Sequence, residues 1–275
     1  MGSVFKYQTT PFNYKLKDIK EAISRTQRII SGTDAWTTVF MENHDQARCV
    51  SRFGDDSPQW RVRSAKMLAL LNAALSGTLY IYQGQELGMI NIPHDWPIEE
   101  YKDVESSNYY EMVAERCDNN ASTLAEAHLA IQHLSRDNAR TPMQWNSSLP
   151  NGGFTTPDAT PWMKVNTYTE EINVAQQLGD KQSVMAFWRR VIEIRKSHNN
   201  ILVHGDFTLI DVDNPGVFCF LKEWRGKEAL IVCNFSGEEM PLPREVKGHY
   251  KLLIGNVEDR SNTLAAWEGR IYLNE

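Results

Sequence analysis

Hydrophobic positions recur near the helical period over residues 15–30, where Leu16, Ile19, Ala22, Ile23 and Ile29 predict an amphipathic helix ended by Ser31-Gly32. Residues 35–41 are rich in β-branched and aromatic side chains and predict a buried strand. A polar stretch follows over residues 42–57. Pro58 suits the first turn of a helix reaching residue 75, with Ser57 as its N-cap and Gly77 closing it. Residues 78–82 predict a second strand, ending at Gln83-Gly84-Gln85-Glu86. Strand, helix, strand of these lengths is a βαβ unit with parallel strands.

A parallel sheet is buried on both faces and needs several strands, and only two are on offer. Residues 91–165 are too polar and turn-rich to supply the others, so the unit reads as the end of a larger α/β structure. Val184, Phe187, Trp188, Val191, Ile192 and Ile194 then give a broad apolar face to a helix over 180–198. Beyond it short β-rich runs alternate with turns, at 207–212, 217–224, 230–235, 250–254 and 269–273. Asp213-Asn214-Pro215-Gly216 and Arg225-Gly226-Lys227 mark two hairpins. This predicts a small antiparallel β domain and a boundary near residue 200.

Composition narrows the function. Hydrophobic residues make up 41% of the 275, enough for the cores of two domains. The formal net charge of -6 speaks against a nucleic-acid partner, which calls for a basic face, and against an anionic membrane surface. No apolar run reaches the roughly 20 residues of a membrane span. The opening Met1-Gly2-Ser3-Val4-Phe5-Lys6 reads as neither a secretory signal nor a myristoylation motif. Cys49, Cys117, Cys219 and Cys233 form no CxxC pair, which argues against zinc, and the last two read as buried thiols in strands. The sequons at Asn120, Asn146 and Asn234 read as chance matches, and the compartment as the reducing cytoplasm. Eight tryptophans suit a sugar-binding surface, but a large core accounts for them more simply.

Three segments carry a resemblance. They are Met41-Glu42-Asn43-His44-Asp45-Gln46-Ala47-Arg48, the run from Gly77 through Gln83-Gly84-Gln85-Glu86 to Gly88, and Ser135-Arg136-Asp137-Asn138-Ala139-Arg140-Thr141-Pro142-Met143-Gln144-Trp145. In this order they resemble the later conserved segments of the α-amylase superfamily, glycoside hydrolase family 13. The third is similar to the α-glucosidase, oligo-1,6-glucosidase and isomaltase branch, and the wording of residues 77–82 leans toward fungal maltases. The likeness covers nearly the whole chain, down to Trp267-Glu268-Gly269-Arg270-Ile271-Tyr272. It implies an α/β fold: the C-terminal portion (last strands and helices) of a (β/α)8 TIM barrel over 1–200, then an antiparallel β-sandwich domain over 201–275. The two strands would be the barrel's seventh and eighth, and such barrels place active sites at the C-terminal ends of strands, where His44-Asp45 falls.

The resemblance also implies the chemistry. Retaining glycosidases use a carboxylate nucleophile and a carboxylic acid about 5 Å apart. In the family these come from the fourth and fifth strands, and neither segment lies in these residues, so the chain by itself is expected to be inactive. Asp45 matches the family's third carboxylate, which binds the hydroxyls at positions 2 and 3 of the sugar and stabilises the transition state. His44 would donate to the same hydroxyls. Arg136 looks like the arginine that pins the non-reducing glucose, with Arg140 as runner-up. Glu105 resembles a carboxylate lining the leaving-group subsite, while Gln46 and Arg48 would shape the pocket entrance. Gln85 and Glu86 are expected to support the barrel mouth, and Trp145 to pack in the core. No cofactor is implied, and a family calcium site would use residues outside this chain.

The implied activity is retaining hydrolysis of α-glucosidic bonds in maltose, isomaltose, sucrose or short oligosaccharides from the non-reducing end. The partners would be those α-linked sugars and the missing N-terminal half of the barrel. A transglycosylase or isomerase, such as a trehalulose or trehalose synthase, shares the same barrel and stays open. So does a non-catalytic barrel acting as a protein partner, although such relatives tend to lose the His-Asp pair and carry a membrane span. A product of a broken reading frame is the third alternative. Preference for α-1,4 or α-1,6 bonds turns on a residue upstream.

Overall fold

The structure is a computed structural model that describes residues 14–244, 246, 250–258 and 261–274. Along the chain run α1 (Leu16–Ile30), β1 (Thr38–Val39), α2 (Cys49–Phe53), α3 (Arg61–Ala73), β2 (Thr78–Leu79), α4 (Val104–Arg116), α5 (Ala121–Leu134), α6 (Val174–Gln177), α7 (Val184–Ser197) and α8 (Asn199–Leu202). The strands β3 (Asp206–Ile210), β4 (Val217–Trp224), β5 (Lys227–Asn234), β6 (Met240–Pro241), β7 (Lys251–Gly255), β8 (Thr263–Leu264) and β9 (Gly269–Asn274) follow. Their contacts group them into two compact units. One holds Glu42–Phe53 and Tyr82–Asp180; the other holds Tyr14–Met41, Gly54–Ile81 and the chain from Lys181 on.

In the second unit β1 and β2 are parallel, with Thr38 opposite Thr78 and Val39 opposite Leu79, joined through α3 as the βαβ pattern predicts. Each pairs with no third strand among the described residues, so only two residues of each predicted strand form a ladder. Phe40 and Tyr80 are left 44% and 57% exposed, while Val39 is buried. Gly77 makes the turn into β2 at φ +123, and a Cβ there would lie 2.7 Å from the Thr37 carbonyl oxygen. Helix α3 starts three residues later than predicted. Trp60 is its N-cap, and the Ser57 carbonyl accepts from the Arg61 amide at 2.9 Å, so Pro58 opens a preceding turn. Ten of the thirteen residues of α3 are buried on all sides, because α7 and β9 both pack against it.

Helix α1 lies where its period predicts, but it buries another face. Lys20, Ser24 and Gln27 point inward with Leu16, whereas Ala22 is exposed and Ile29 is 66% exposed. The polar residues go inward because carbonyls await them. Lys20 Nζ donates to the carbonyls of Asp211, Val212 and Asn214, and Gln27 exchanges two hydrogen bonds with the Ser76 backbone. Nothing in the structure explains the exposed Ile29. At the end of α3, the buried Arg195 of α7 donates to the carbonyls of Ala73, the last residue of the helix, and of Leu75 and Gly77 in the turn that follows. Burial without an acid lowers its pKa to about 10.

The predicted β-rich runs form one antiparallel sheet in the order β3-β4-β5-β9-β7. Arg225 and Gly226, at φ 50 and 80, form the two-residue loop between β4 and β5. Positive φ at both positions matches the twist of the flanking strands. Register puts Cys219 and Cys233 on opposite sheet faces, both buried and unbridged. On the Cys219 face, Val217, Leu230, Val232 and Tyr272 pack with Leu264 of β8 and Met240 of β6. The other face carries Phe218, Phe220, Lys222 and Ile231, all buried, on the side of Gly269, where a Cβ would touch Met67 and Leu70 of α3. Asn234 is buried and its amide donates to three carbonyls, so that sequon offers no acceptor for a glycan.

The first unit has no strand among its described residues, as the polar composition of 91–165 predicts, but it holds α4 and α5, which that composition did not reveal. Each buries a narrow stripe, Tyr109 and Val113 on α4 and Ala127, Ala130, Ile131 and Leu134 on α5. Loops fill the rest, and buried amides replace the missing ladders. Asn91 donates to the carbonyls of Gln132 and His133, and Asn138 to Gln132 while accepting from the Ile92 amide. No helix among the described residues is long and apolar enough to cross a membrane.

Candidate functional site

The loop after β1 is built on a buried acid and a buried base. Glu42 accepts from Arg48 Nη1 at 3.1 Å and from the Cys49 amide at 2.9 Å. Arg48 also donates to the carbonyls of Gln83 at 2.8 Å and Asn138 at 3.3 Å. Its side chain is 1% exposed, so Arg48 does not shape an entrance. It ties three loops together from within, because a desolvated guanidinium needs all its acceptors inside the protein. Gly84, at φ +89, gives it room: a Cβ there would sit 3.1 Å from Arg48 Nη1. Gln46 is half-exposed and spends its carbonyl on Arg52 Nη1 at 2.7 Å. Gln85 accepts from the Tyr82 amide and Glu86 from the Gly84 amide, so both hold the local turn.

On this frame Asn43 accepts from the Asp45 amide at 2.8 Å, a local turn that lifts His44 and Asp45 into solvent. Their side chains are 71% and 49% exposed, with His44 Nε2 3.2 Å from Asp45 Oδ2. The other oxygen, Asp45 Oδ1, meets Arg140 Nη2 at 3.0 Å and Arg136 Nη1 at 3.4 Å, although some ninety residues separate them in sequence. Slight burial pushes the Asp45 carboxyl up, but His44, Arg136 and Arg140 outweigh it and hold the group below the ordinary carboxylate range. Arg140 also donates from Nε to the His44 carbonyl at 2.9 Å.

Beneath the arginines lies an acid that the sequence did not single out. Asp103 has a side chain 2% exposed, and its carboxylate takes Arg136 Nη2 at 2.5 Å and Nε at 3.1 Å. Its hydrogen bond drives the Arg136 pKa up, burial notwithstanding. Glu105, 43% exposed in the first turn of α4, is 3.8 Å from Arg136 Nε. The buried Asp137 accepts from the amides of Lys102 and Asp103 at 2.6 and 2.8 Å. Burial raises its pKa against those two bonds. The structure thus brings His44, Asp45, Arg136, Arg140 and Glu105 together and keeps Gln46 at the margin and Arg48 inside. Trp145 is 48% exposed, not in the core. Among the described residues no group of three metal-ligating side chains converges.

Residues 3–205 match the family description "Alpha amylase, catalytic domain". The chain is 45% identical over 276 residues to an alpha-glucosidase of Saccharomyces cerevisiae, covering 98% of this chain and 47% of that protein. It is 44% identical over 284 residues to an oligo-1,6-glucosidase of the same yeast, covering 100% and 48%. Among solved structures, the trehalulose synthase from Pseudomonas mesoacidophila superposes with a TM-score of 0.84 at 34% identity, over 96% of this chain and 47% of that one. The chain therefore spans about half the length of the curated relatives it matches, and its fold is that of part of an alpha-amylase-type barrel enzyme. On the match of three quarters of its residues to that catalytic domain, the chain belongs to the alpha-amylase family, glycoside hydrolase family 13.

Proposed function

We propose that the Asp45 cluster is the hydroxyl-binding side of an α-glucosidase active site. The whole enzyme would cleave α-glucosidic bonds of maltose, isomaltose, sucrose or short oligosaccharides from the non-reducing end, with retention. One observation carries this: an exposed carboxylate whose Oδ1 is held by two guanidinium groups while Oδ2 faces His44. A carboxylate fixed in this way offers an oriented acceptor to vicinal sugar hydroxyls, with the imidazole as donor beside it. Arg136 and Arg140 would add donors, and Glu105 would reach the leaving sugar. The 275 residues contain no counterpart of the nucleophile and acid segments, so they would not turn over substrate alone. The division at residue 200 and a β-sandwich over 201–275 are supported by the start of the antiparallel sheet at Asp206 and by the packing of β6 and β8 on one of its faces. Four unbridged cysteines, three of them buried, suit a reducing cytoplasm.

The test is turnover of maltose, isomaltose and sucrose by residues 1–275 beside an N-terminally extended form. Cleavage by the extended form only is the expected result, and hydrolysis of maltose by the short form would overturn the assignment of roles. A second reading, sucrose isomerisation, is favoured by the likeness to the trehalulose synthase. Chromatography of the sucrose products separates the two, since hydrolysis releases free glucose and fructose.

A further inference from the structure

Asp103 occupies the N-cap position of α4, and an aspartate there ordinarily accepts from the exposed amides of the first helical turn. Its side chain makes no such cap bond. Both oxygens are turned to Arg136 instead, Oδ2 toward Nε and Oδ1 toward Nη2, in a bidentate pair whose carboxylate is 2% exposed and whose arginine side chain is 26% exposed, and Ser106 Oγ also donates to Oδ2 at 3.5 Å. Arg140 Nη1 lies 3.6 Å from the same Oδ1. The two guanidinium groups therefore each bridge a buried acid below and the half-exposed Asp45 above. Asp137 completes the arrangement from the other side, because its carboxylate grips the amides of Lys102 and Asp103 themselves. Arg136 and Asp137, adjacent in sequence, thus clasp Asp103 by side chain and by backbone.

We propose that Asp103 is a positioning residue that fixes the Arg136 and Arg140 side chains so that their free nitrogens face Asp45. The exposed partner is too weak an anchor for the task, since a half-exposed ion pair is screened by solvent and does not immobilise two long side chains. A bidentate contact to a buried carboxylate removes the rotamer freedom that the surface pair leaves. The carboxylate keeps only a long bond from the Ser106 hydroxyl in the first turn, and its short contacts go to Arg136. The meaning of the device for catalysis rests on the α-glucosidase reading, but the device itself does not.

The experiment follows the Asp45 carboxyl by carbon NMR against pH in residues 1–275, assigned by loss of the signal in Asp45→Asn. Asp103→Asn deletes a negative charge, so a purely Coulombic role lowers the Asp45 titration midpoint. If Asp103 holds the arginines in place, they swing away and the midpoint rises. The expected result is the rise, and a fall or no change overturns the proposal. Should Asp103→Asn fail to fold, the wild-type chain decides. The Arg136 Nε proton must then exchange with water much more slowly than that of the exposed Arg189, and equal rates overturn the proposal. Neither measurement uses substrate, so a failure here stays separate from a failure of turnover in the extended enzyme.

Discussion

Replacing Lys222 by methionine removes a buried amine without opening a large cavity. Lys222 is 0% exposed on β4, and its Nζ donates to Ser76 Oγ. Burial, and secondarily the charge of Arg195, lowers its pKa from 10.5 to about 7, while Asp206 opposes the change weakly. At about 1.4 kcal/mol for each tenfold change in proton affinity, the gap amounts to roughly 5 kcal/mol. The sign follows from proton counting. Between about pH 7 and 10.5 the unfolded chain keeps a proton that the folded chain has released, so stability rises with pH through that window. Below about pH 7 both states are charged and the contribution is flat. Lys222→Met has no such slope. Urea unfolding, followed by tryptophan fluorescence at several pH values, should show the variant's advantage shrinking by up to roughly 5 kcal/mol from neutral to alkaline pH. The lost bond to Ser76 shifts the variant's curve by a constant and leaves the slope difference intact. Parallel wild-type and variant curves over this window would refute the reasoning.

In an N-terminally extended enzyme, Asp45→Asn should lower kcat by about 30- to 1,000-fold, the equivalent of roughly 2–4 kcal/mol, with an unchanged unfolding midpoint. Near-normal kcat would leave Asp45 as a loop residue. Gly77→Ala should destabilise by about 1–3 kcal/mol in denaturant unfolding. Gly32→Ala is the control, since Gly32 also has positive φ but meets nothing within 4 Å. Equal losses at the two positions would show that contact with Thr37 is not the cause.

Elements governed by local rules were legible in the sequence. Short β-rich runs set between turns located the strands of the five-stranded sheet, and Arg225-Gly226 located a hairpin, because strand propensity and φ preference act within a few residues. The parallel pairing of β1 with β2 followed from element lengths. What escaped depends on partners far along the chain. Helix α1 shows an apolar stripe, yet carbonyls near residues 211–214 and at Ser76 draw Lys20 and Gln27 inward. Arg48 stands in the same motif as Asp45 and reads as a site residue, and only the buried Glu42 reveals it as a tie between loops. Asp103 drew no reading from the sequence, because nothing local announces an arginine 33 residues away.

The charges of the cluster favour one kind of ligand over another. Asp45, Asp103, Glu105 and Asp137 stand against Arg136 and Arg140, so the ionised acids outnumber the cations and the cluster carries an excess of negative charge. Asp45 Oδ1 already accepts from both arginines, so its free lone pairs are on Oδ2, beside His44. An anionic ligand would meet net repulsion at that oxygen. A neutral polyol would meet an oriented acceptor, and the excess negative charge would help only as positive charge grows on the sugar ring. This is the asymmetry between substrate and transition state that an oxocarbenium-like reaction requires. On the proposed reading, then, the two arginines do not cancel the field of Asp45. They fix the direction of one carboxylate oxygen, and the buried Asp103 restores the charge that they would otherwise remove from the site.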